Sequence, residues 1–449
     1  MSKPKLAIVN VFFPPQSIGG ATRVVADNVR VLEDRYGHEF DLVFYTSDEG
    51  DTPAHELEIY TYNGRRVYRA GIVRRINMDW HPFDPESGRL FEKFLEHEQP
   101  DLIHFHCIQR LTSSIVEVTA AYGIPYFITV HDAWWISDHQ FLVDQYGTVH
   151  PYGHADPYSP LPLPNGVTAE ESETRRQALA ELMLGADELL TVSESFAELY
   201  RINGFPDIKV AMNGIQTEGW RERTESFDGR VRLGHIGGMA PHKGFTLLKA
   251  ILQQERFDNL SLTVTDLSKP HGYEQHTTWG NTPVTVVGKY PQQFVPDLYA
   301  RLDVLLAPST WPESFGLVTR EAAAAGCWVV ASDIGGIGEQ VVEDRTGYLV
   351  HPNDRTSLVS ALRKIDADPE RFCSRPEPTL IRSVEEQVDE LVLLYRNSLS
   401  KARIDADVRG MNAEVPQQLR GESDETSKPA SVKRKFSVVN KKRVKETNA

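Results

Sequence analysis

Cysteine is scarce in this chain. Cys107, Cys327 and Cys373 are the only three among 449 residues, and they lie far apart. That spacing makes neither a disulfide framework nor a zinc site, and it fits a reducing, cytoplasmic setting. Long apolar runs are missing too. No stretch approaches the ~20 residues of a membrane-spanning helix, which excludes an integral helical membrane protein. The apolar run Leu6 to Phe13 ends in Pro14-Pro15. It is shorter than a secretory signal and lacks a small-residue cleavage site, so it reads as a first buried strand. Positive charge is in deficit: 48 Lys and Arg stand against 63 Asp and Glu, a net charge of -15. The body has no surplus of cations for a phosphate backbone, and no nucleic-acid partner is expected. Neither a Gly-x-Ser-x-Gly nor a Walker sequence occurs.

What is present is a globular composition, 40% hydrophobic and 25% charged, in a chain too long for one ordinary core. Short apolar strands alternate with amphipathic helices. Leu6–Phe13, Asp41–Tyr45, Asp101–His106, Tyr126–Val130 and Glu188–Val192 read as strands. Ala21–Leu32 and Ile115–Tyr122 read as helices, and Ser195 to Glu198 as a capping-box helix start. The rhythm then restarts. Val231–Ile236, Ser261–Thr265, Val284–Val287, Asp303–Ala307, Trp328–Ala331 and Gly347–Val350 are strands; Phe245–Gln253, Gly316–Ala325 and Arg355–Ile365 are helices. The fold class is α/β, two Rossmann-like doubly wound domains facing across a cleft. The first spans 1–205, completed by a helix at about 381–400 with Val384, Val388, Leu391 and Leu394 as its stripe. A linker covers 206–230, and the second domain 231–380.

Two regions break the rhythm. His139–Thr174 is long and proline-rich, the mark of a functional lid or a disordered insertion. The tail 401–449 has few aromatics and many charges, and is expected to be disordered. Its end carries eight basic residues from Lys428 to Lys445 with no Asp or Glu among them. That run is read as a peripheral membrane tether, with a solvated tail as the alternative.

Ligands of open parallel sheets bind beyond the carboxyl ends of the strands, so residues just after each strand are the candidates. Pro312 to Glu321 follows one strand and opens a helix ending near Gly326. Glu313 and Glu321 are eight residues apart. On a helix that is about 12 Å, roughly the reach of a diphosphate plus a sugar. Between them lie the N–H groups of a helix N-terminus, suited to phosphate. For an isolated pair the plain alternative is a helix cap and a solvated side chain. Gly237, Gly238 and Lys243 offer close backbone approach and a point charge, or simply a turn with a surface lysine. Ile18-Gly19-Gly20-Ala21 is a phosphate-approaching loop or a plain turn. His131 closes a strand, where an imidazole can bond a hydroxyl or a phosphate in either protonation state, or sit satisfied in its loop. Trp134 and Trp135 either pack in the core or stack on an acceptor sugar. His104 and His106 have no carboxylate ligands beside them, so no metal site is expected. Asp366-Ala367-Asp368 reads as solvated. Arg65, Arg66, Arg69, Arg74 and Arg75 form a basic cluster that faces an anionic acceptor or membrane, or is a solvated ribbon face.

From Lys5 to Ser400 these motifs resemble the GT-B retaining glycosyltransferases of family four, the glycosyl transferases group 1. The pair Glu313 and Glu321, followed by Ala322-Ala323-Ala324-Ala325-Gly326, carries the resemblance. It implies catalytic roles for Glu313, beside the anomeric carbon of the donor sugar, and for His131, near the reaction centre. It implies Glu321 on the donor ribose, and Lys243 on the diphosphate. The backbone of Ser314, Phe315, Gly316, Leu317 and Val318 would hold sugar hydroxyl and diphosphate oxygens, with Gly19 and Gly20 approaching the phosphate. The family often has an arginine where this chain has Gly238, so one phosphate cation is missing. The implied activity moves a sugar from a nucleotide-diphosphate donor to an acceptor hydroxyl with the anomeric configuration kept. The partners would be that donor and a glycan or lipid-linked acceptor, in polysaccharide or glycolipid assembly, with no metal and no other cofactor. The alternatives are another GT-B enzyme, a nucleotide-sugar epimerase or sugar-phosphate synthase, or a catalytically silent scaffold.

Overall fold

A computed structural model describes residues 3–16, 19–155, 161–217, 219–221, 223–224 and 229–413. Ile18, Pro157, Pro160 and the basic run Lys428 to Lys445 lie outside the described residues. The chain divides into two compact units, Met1–Ala402 and Arg403–Ala449. The first holds everything discussed below except the end of the last helix.

The apolar runs form two open sheets. The first contains β1 (Lys5–Val9), β2 (Asp41–Ser47), β3 (Leu57–Tyr62), β4 (Arg65–Ala70), β5 (Leu102–Phe105), β6 (Tyr126–Val130), β7 (Glu188–Thr191) and β8 (Lys209–Val210). Their order is β3-β4-β2-β1-β5-β6-β7-β8, parallel except for the β3–β4 hairpin. The second contains β9 (Val231–His235), β10 (Leu260–Asp266), β11 (Glu274–Trp279), β12 (Thr282–Gly288), β13 (Val304–Ala307), β14 (Trp328–Ser332) and β15 (Gly347–Val350). Their order is β11-β12-β10-β9-β13-β14-β15, parallel except for β11–β12. Strands β5, β6, β13 and β14 are buried along their whole length, which is why they read as continuous apolar runs. The strand order reverses at β1 in one sheet and at β9 in the other, and a crevice opens there beyond the strand ends.

Several elements lack the periodic signal. β11, Glu-Gln-His-Thr-Thr-Trp, is an exposed edge strand whose one buried side chain is Trp279. The helix Pro85–Glu98 starts on Asp84, whose carboxylate accepts from the N–H groups of Glu86 and Ser87. The helix Ala169–Leu184 begins inside the segment expected to be a lid or a disordered insertion, with Thr168 and Glu171 as a reciprocal capping box. The described residues of that segment before Ala155 are pinned to the body, with His139, Asp144 and His150 buried. The helix Glu194–Ile202 is capped by Ser193, not by Ser195, because Ser193 holds the extended backbone a cap needs. Asp366 is not simply solvated: its carboxylate accepts from the Asn259 N–H at 2.8 Å.

The basic cluster is spent internally. Arg66 forms two bonds to Glu98, at 2.6 and 2.7 Å; Tyr68 and Lys5 donate to the same carboxylate. Arg65 pairs with Asp41 and Arg69 with Glu58. Arg74 and Arg75 reach the carbonyls of Glu49 and Phe83. The cluster thus carries its own counter-charges, and Arg66, Arg74 and Arg75 remain exposed, as in the solvated-face alternative.

The chain passes between the two sheets twice. The outward segment meets the returning one where Ile215 bridges Ser383, and the Gln387 side chain accepts from the Gly214 N–H at 2.8 Å. The last helix, Val384–Ala413, runs past the expected end near Ser400. Its Val384, Val388, Leu391, Val392 and Tyr395 pack with Leu6, Ile8, Leu102 and Phe127 of the first sheet. Leu394, expected on the stripe, is only partly buried, and Val392 and Tyr395 take its place. No helix among the described residues is long and apolar enough to cross a membrane.

Glu98 is fully buried. Burial alone would raise its pKa, but the hydrogen bonds from Arg66, Tyr68 and Lys5 outweigh that and hold it at about 2. Its folded pKa is depressed, so its stabilisation is complete above the ordinary carboxylate value and fades as pH falls toward 2. Glu98→Ala should cost about 3 kcal/mol at pH 7, because it strands two cations on one wall. Chemical denaturation at pH 7 and pH 3 checks this: the gap between wild type and variant should narrow at pH 3.

Candidate functional site

The second sheet contributes the larger part of the site. After β13 the chain turns through Ser309 to Gly316 and enters the helix Leu317–Ala324. Gly316 makes that entry with φ 78°, and a Cβ there would lie 2.6 Å from Ile337, so only glycine fits. The N–H groups of Phe315, Gly316, Leu317 and Val318 donate to no group among the described residues. They are the open donors of a helix N-terminus, where an anion is favoured.

A carboxylate stands at each end of this row. Glu313 is buried; it accepts from the Ser309 hydroxyl, and its Oε1 lies 3.0 Å from Lys243 Nζ. Lys243 in turn sits over the Trp311 ring, 5.2 Å from its centre. Glu321 is buried as well. Tyr299 donates to its Oε2 at 3.0 Å, and Arg23 pairs with its Oε1. Arg23 comes from the other sheet's half, on the helix Gly19–Tyr36. The Gly19-Gly20 turn starts that helix, and a Cβ on Gly20 would be 3.2 Å from Leu317. Gly20 therefore packs against the Leu317 side chain.

Three further contacts tie the halves together at this edge. Ser193 donates to the Ser314 carbonyl at 2.6 Å, and the Ser195 N–H to Glu339 at 2.6 Å. Phe141 meets Trp311 edge-on, with ring centres 4.9 Å apart. Beneath the row, the buried Arg320 donates to the carbonyls of Phe315 and Gly336 and so fixes the loop from inside.

His131 ends β6, with Nε2 3.0 Å from His106 Nδ1. Burial pulls its pKa down to about 4. His104, between Tyr395 and Thr129 at 2.7 Å each, is likewise buried, and its pKa falls to about 3. Among the described residues no group of three His, Cys, Asp or Glu is placed to hold a metal ion. Asp132 is the neighbour that changes charge near neutrality. Burial raises its pKa to about 6 against the hydrogen bonds from Gln140, Trp134 and Gln109. No hydrogen bond among the described residues links His131 to the second half; the link runs through Gln140 and Phe141 to Trp311. Trp134 and Trp135 are core residues, 1% and 3% exposed.

The structure thus gathers Gly20, Lys243, Glu313, the Ser314–Val318 backbone and Glu321 in one cleft. Sequence reasoning missed Arg23, Ser193, Tyr299, Ser309 and Trp311. Arg23 alone left a signal, four residues after Gly19 and so one turn along the same helix face.

Two doubly wound sheets meeting at the carboxyl ends of their strands define the GT-B class of architecture. Residues 216–376 match the family model described as glycosyl transferases group 1, and residues 19–214 the model described as glycosyl transferase 4-like domain. A D-inositol 3-phosphate glycosyltransferase of Paenarthrobacter aurescens is 30% identical over 296 residues, 58% of this chain and 69% of that protein. One from Streptomyces avermitilis is 29% identical over 58% of this chain and 62% of its own length. A glycogen synthase of Mycobacterium tuberculosis is 32% identical over 42% of this chain and 47% of its own length. The chain belongs to the glycosyl transferases group 1 family. It spans about half to two thirds of the length of these relatives. The sucrose-phosphate synthase of Thermosynechococcus elongatus shares the fold, with TM-score 0.61 and 18% identity over 91% of this chain and all of the other. So does the Anabaena protein HepE in complex with UDP, with TM-score 0.53 and 15% identity over 90% and 100%.

The pKa of His131 has a direct consequence. Its ring should remain neutral from pH 8 to pH 5, while Asp132 takes up a proton near pH 6. Side-chain NMR of both residues checks this, and a His131 midpoint near 6.5 would contradict the burial argument.

Proposed function

We propose that this chain is a retaining glycosyltransferase that moves a sugar from a nucleotide-diphosphate donor to an acceptor hydroxyl, in polysaccharide or glycolipid assembly. One observation carries the reading. Four N–H groups, Phe315 to Val318, without a partner among the described residues follow one another along the chain, with the Glu313–Lys243 pair before them and Glu321 after them. That row has the chemistry for a diphosphate flanked by two polyhydroxylated ends.

On this reading the amides and Lys243 take the charge of the departing diphosphate. Gly19 and Gly20 let the first half approach it, and the Ser314 backbone holds a sugar hydroxyl. Glu321 accepts from the ribose hydroxyls, which compete with Arg23 for its carboxylate. Glu313 lies beside the anomeric carbon, where positive charge develops. His131, neutral, bonds the donor sugar. The acceptor hydroxyl attacks the face from which the leaving group departs, and a diphosphate oxygen receives its proton. Lys243 and the helix amides carry this charge without a divalent metal. The relatives' names, glycosyltransferases and synthases of sugar polymers, support the reaction class.

A thermal-shift panel of nucleoside diphosphates, followed by NMR of the product's anomeric proton, tests the reading. One diphosphate should stabilise the fold, and donor and product should share an anomeric configuration. Inversion would sink the mechanism. Glu321→Ala should raise the donor KM roughly ten- to hundredfold, from a lost charged hydrogen bond of about 1.5–3 kcal/mol. Glu313→Gln should lower kcat with little change in KM, and a kcat within about twofold of wild type would remove it from catalysis. Activity should survive EDTA; loss restored by magnesium would show that a metal takes part.

A further inference from the structure

We propose that a cavity of about 560 Å³ in the first sheet's half is the acceptor site, and that it takes an uncharged saccharide end and not a phosphorylated one. The proposal rests on the transferase reading above.

Position comes first. Gln140 and Phe141 line the cavity. Gln140 donates to Asp132, the residue after His131, at 2.8 Å, and its carbonyl accepts from the Ala133 N–H. The Phe141 ring reaches Trp311, which lies under Lys243, and Lys243 is 3.0 Å from Glu313. The cavity wall is therefore one side chain away from His131's loop and one ring away from the Glu313–Lys243 pair. A molecule seated there adjoins both.

The lining chemistry is that of a sugar site. Trp80 and Phe141 offer aromatic surface for the C–H face of a pyranose, and Gln140, Gln145 and Asn77 each spend one amide N–H on Asp132, Leu163 and Asn165 and keep a second N–H and the amide oxygen for a ligand. The volume lies inside the range of ~300–1,000 Å³ usual for small-molecule sites. Two buried carboxylates build the wall and are saturated. Asp138 accepts from Trp80 Nε1 at 2.8 Å and Ser172 at 2.5 Å. Asp144 accepts from the N–H groups of Tyr146 and Thr148 at 2.8 and 2.9 Å. They hold the cavity's shape and leave recognition to the rings and amides.

Charge decides against a phosphate. Phosphate recognition wants several cations or N–H groups converging on one point. Among the described residues lining the cavity, Arg75 is the one Arg or Lys, against Asp79, Asp138 and Asp144. The nearby Arg110 pairs with Asp79 at 2.7 Å, so these two offset each other and leave Arg75 against Asp138 and Asp144. A phosphate ester there would meet more carboxylate than guanidinium.

Saturation-transfer NMR on the full chain with UDP present tests this without turnover. The probes are glucose, galactose, mannose and maltose, each against glucose 6-phosphate. At least one neutral saccharide should bind about tenfold more tightly than the phosphate ester. Gln145, exposed at the cavity wall, gives two variants. Gln145→Trp should fill the space and weaken the neutral saccharide about tenfold, and Gln145→Arg should shift the preference toward glucose 6-phosphate by a similar factor. UDP affinity by calorimetry should be unaltered in both, which shows that the fold is intact. Tighter binding of the phosphate ester by wild type, no binding of any neutral probe, or an unmoved affinity in Gln145→Trp would each overturn the proposal. The same titrations run without UDP should keep the preference for the neutral saccharide, so failure of every nucleoside diphosphate to bind would strike the transferase reading and not the saccharide result.

Discussion

The chain crosses between its two sheets twice, and the crossings run side by side. Ile215 and Ser383 pair as neighbouring strands would, and a Cβ on Gly214 would lie 2.1 Å from the Ser383 carbonyl. Two parallel connections at one edge fix the line about which the halves meet. The rest follows from that line. The carboxyl ends of both sheets are brought to the same gap, and loops that belong to opposite halves come within hydrogen-bond reach. The last helix anchors the second crossing by burying Val384, Val388 and Tyr395 against the first sheet. Each such side chain contributes about 1.5–3 kcal/mol of burial, so the return crossing is held firmly.

Charge inside the gap is managed locally. Each buried carboxylate has its own cation and a hydroxyl donor: Glu313 has Lys243 and Ser309, and Glu321 has Arg23 and Tyr299. An unpaired carboxylate at that depth would be costly. The pairing leaves the row of amides between them as the unsatisfied part of the cleft, and an anion is what would satisfy it. The polar wall of the cavity in the first half follows the same logic, with Asp138 and Asp144 satisfied by neighbours in their own half.

Much of this was legible in the sequence because it is local. The buried strands Tyr126–Val130 and Trp328–Ser332 announce themselves as apolar runs, and Glu313, Gly316 and Glu321 fall within nine consecutive positions. Edge strands were not legible: β11 is exposed on nearly every residue, so nothing in its pattern separates it from a loop. Partners distant in sequence were not legible either. Arg23 and Glu321 are 298 positions apart, and Phe141 and Trp311 meet only after both sheets have formed. The arginines Arg65, Arg66 and Arg69 of β4 left two readings open for the same reason. Their counter-charges, Glu98 above all, sit on another element, and a run of like charges looks solvated until the fold supplies them.

Gly238 shows how a gap in a local motif can be met by the tertiary structure. Its φ is 86°, and a Cβ there would lie 2.9 Å from Leu267, so an arginine at this position would be strained. A guanidinium that does reach this cleft is that of Arg23, which arrives from the opposite half and pairs with Glu321. A cation on the second half's own loop would be present whether the gap was open or shut. One carried by the first half stands beside Glu321 only while the two halves are together. The charge balance of the cleft therefore draws on both halves, with Lys243 supplied by the second and Arg23 by the first.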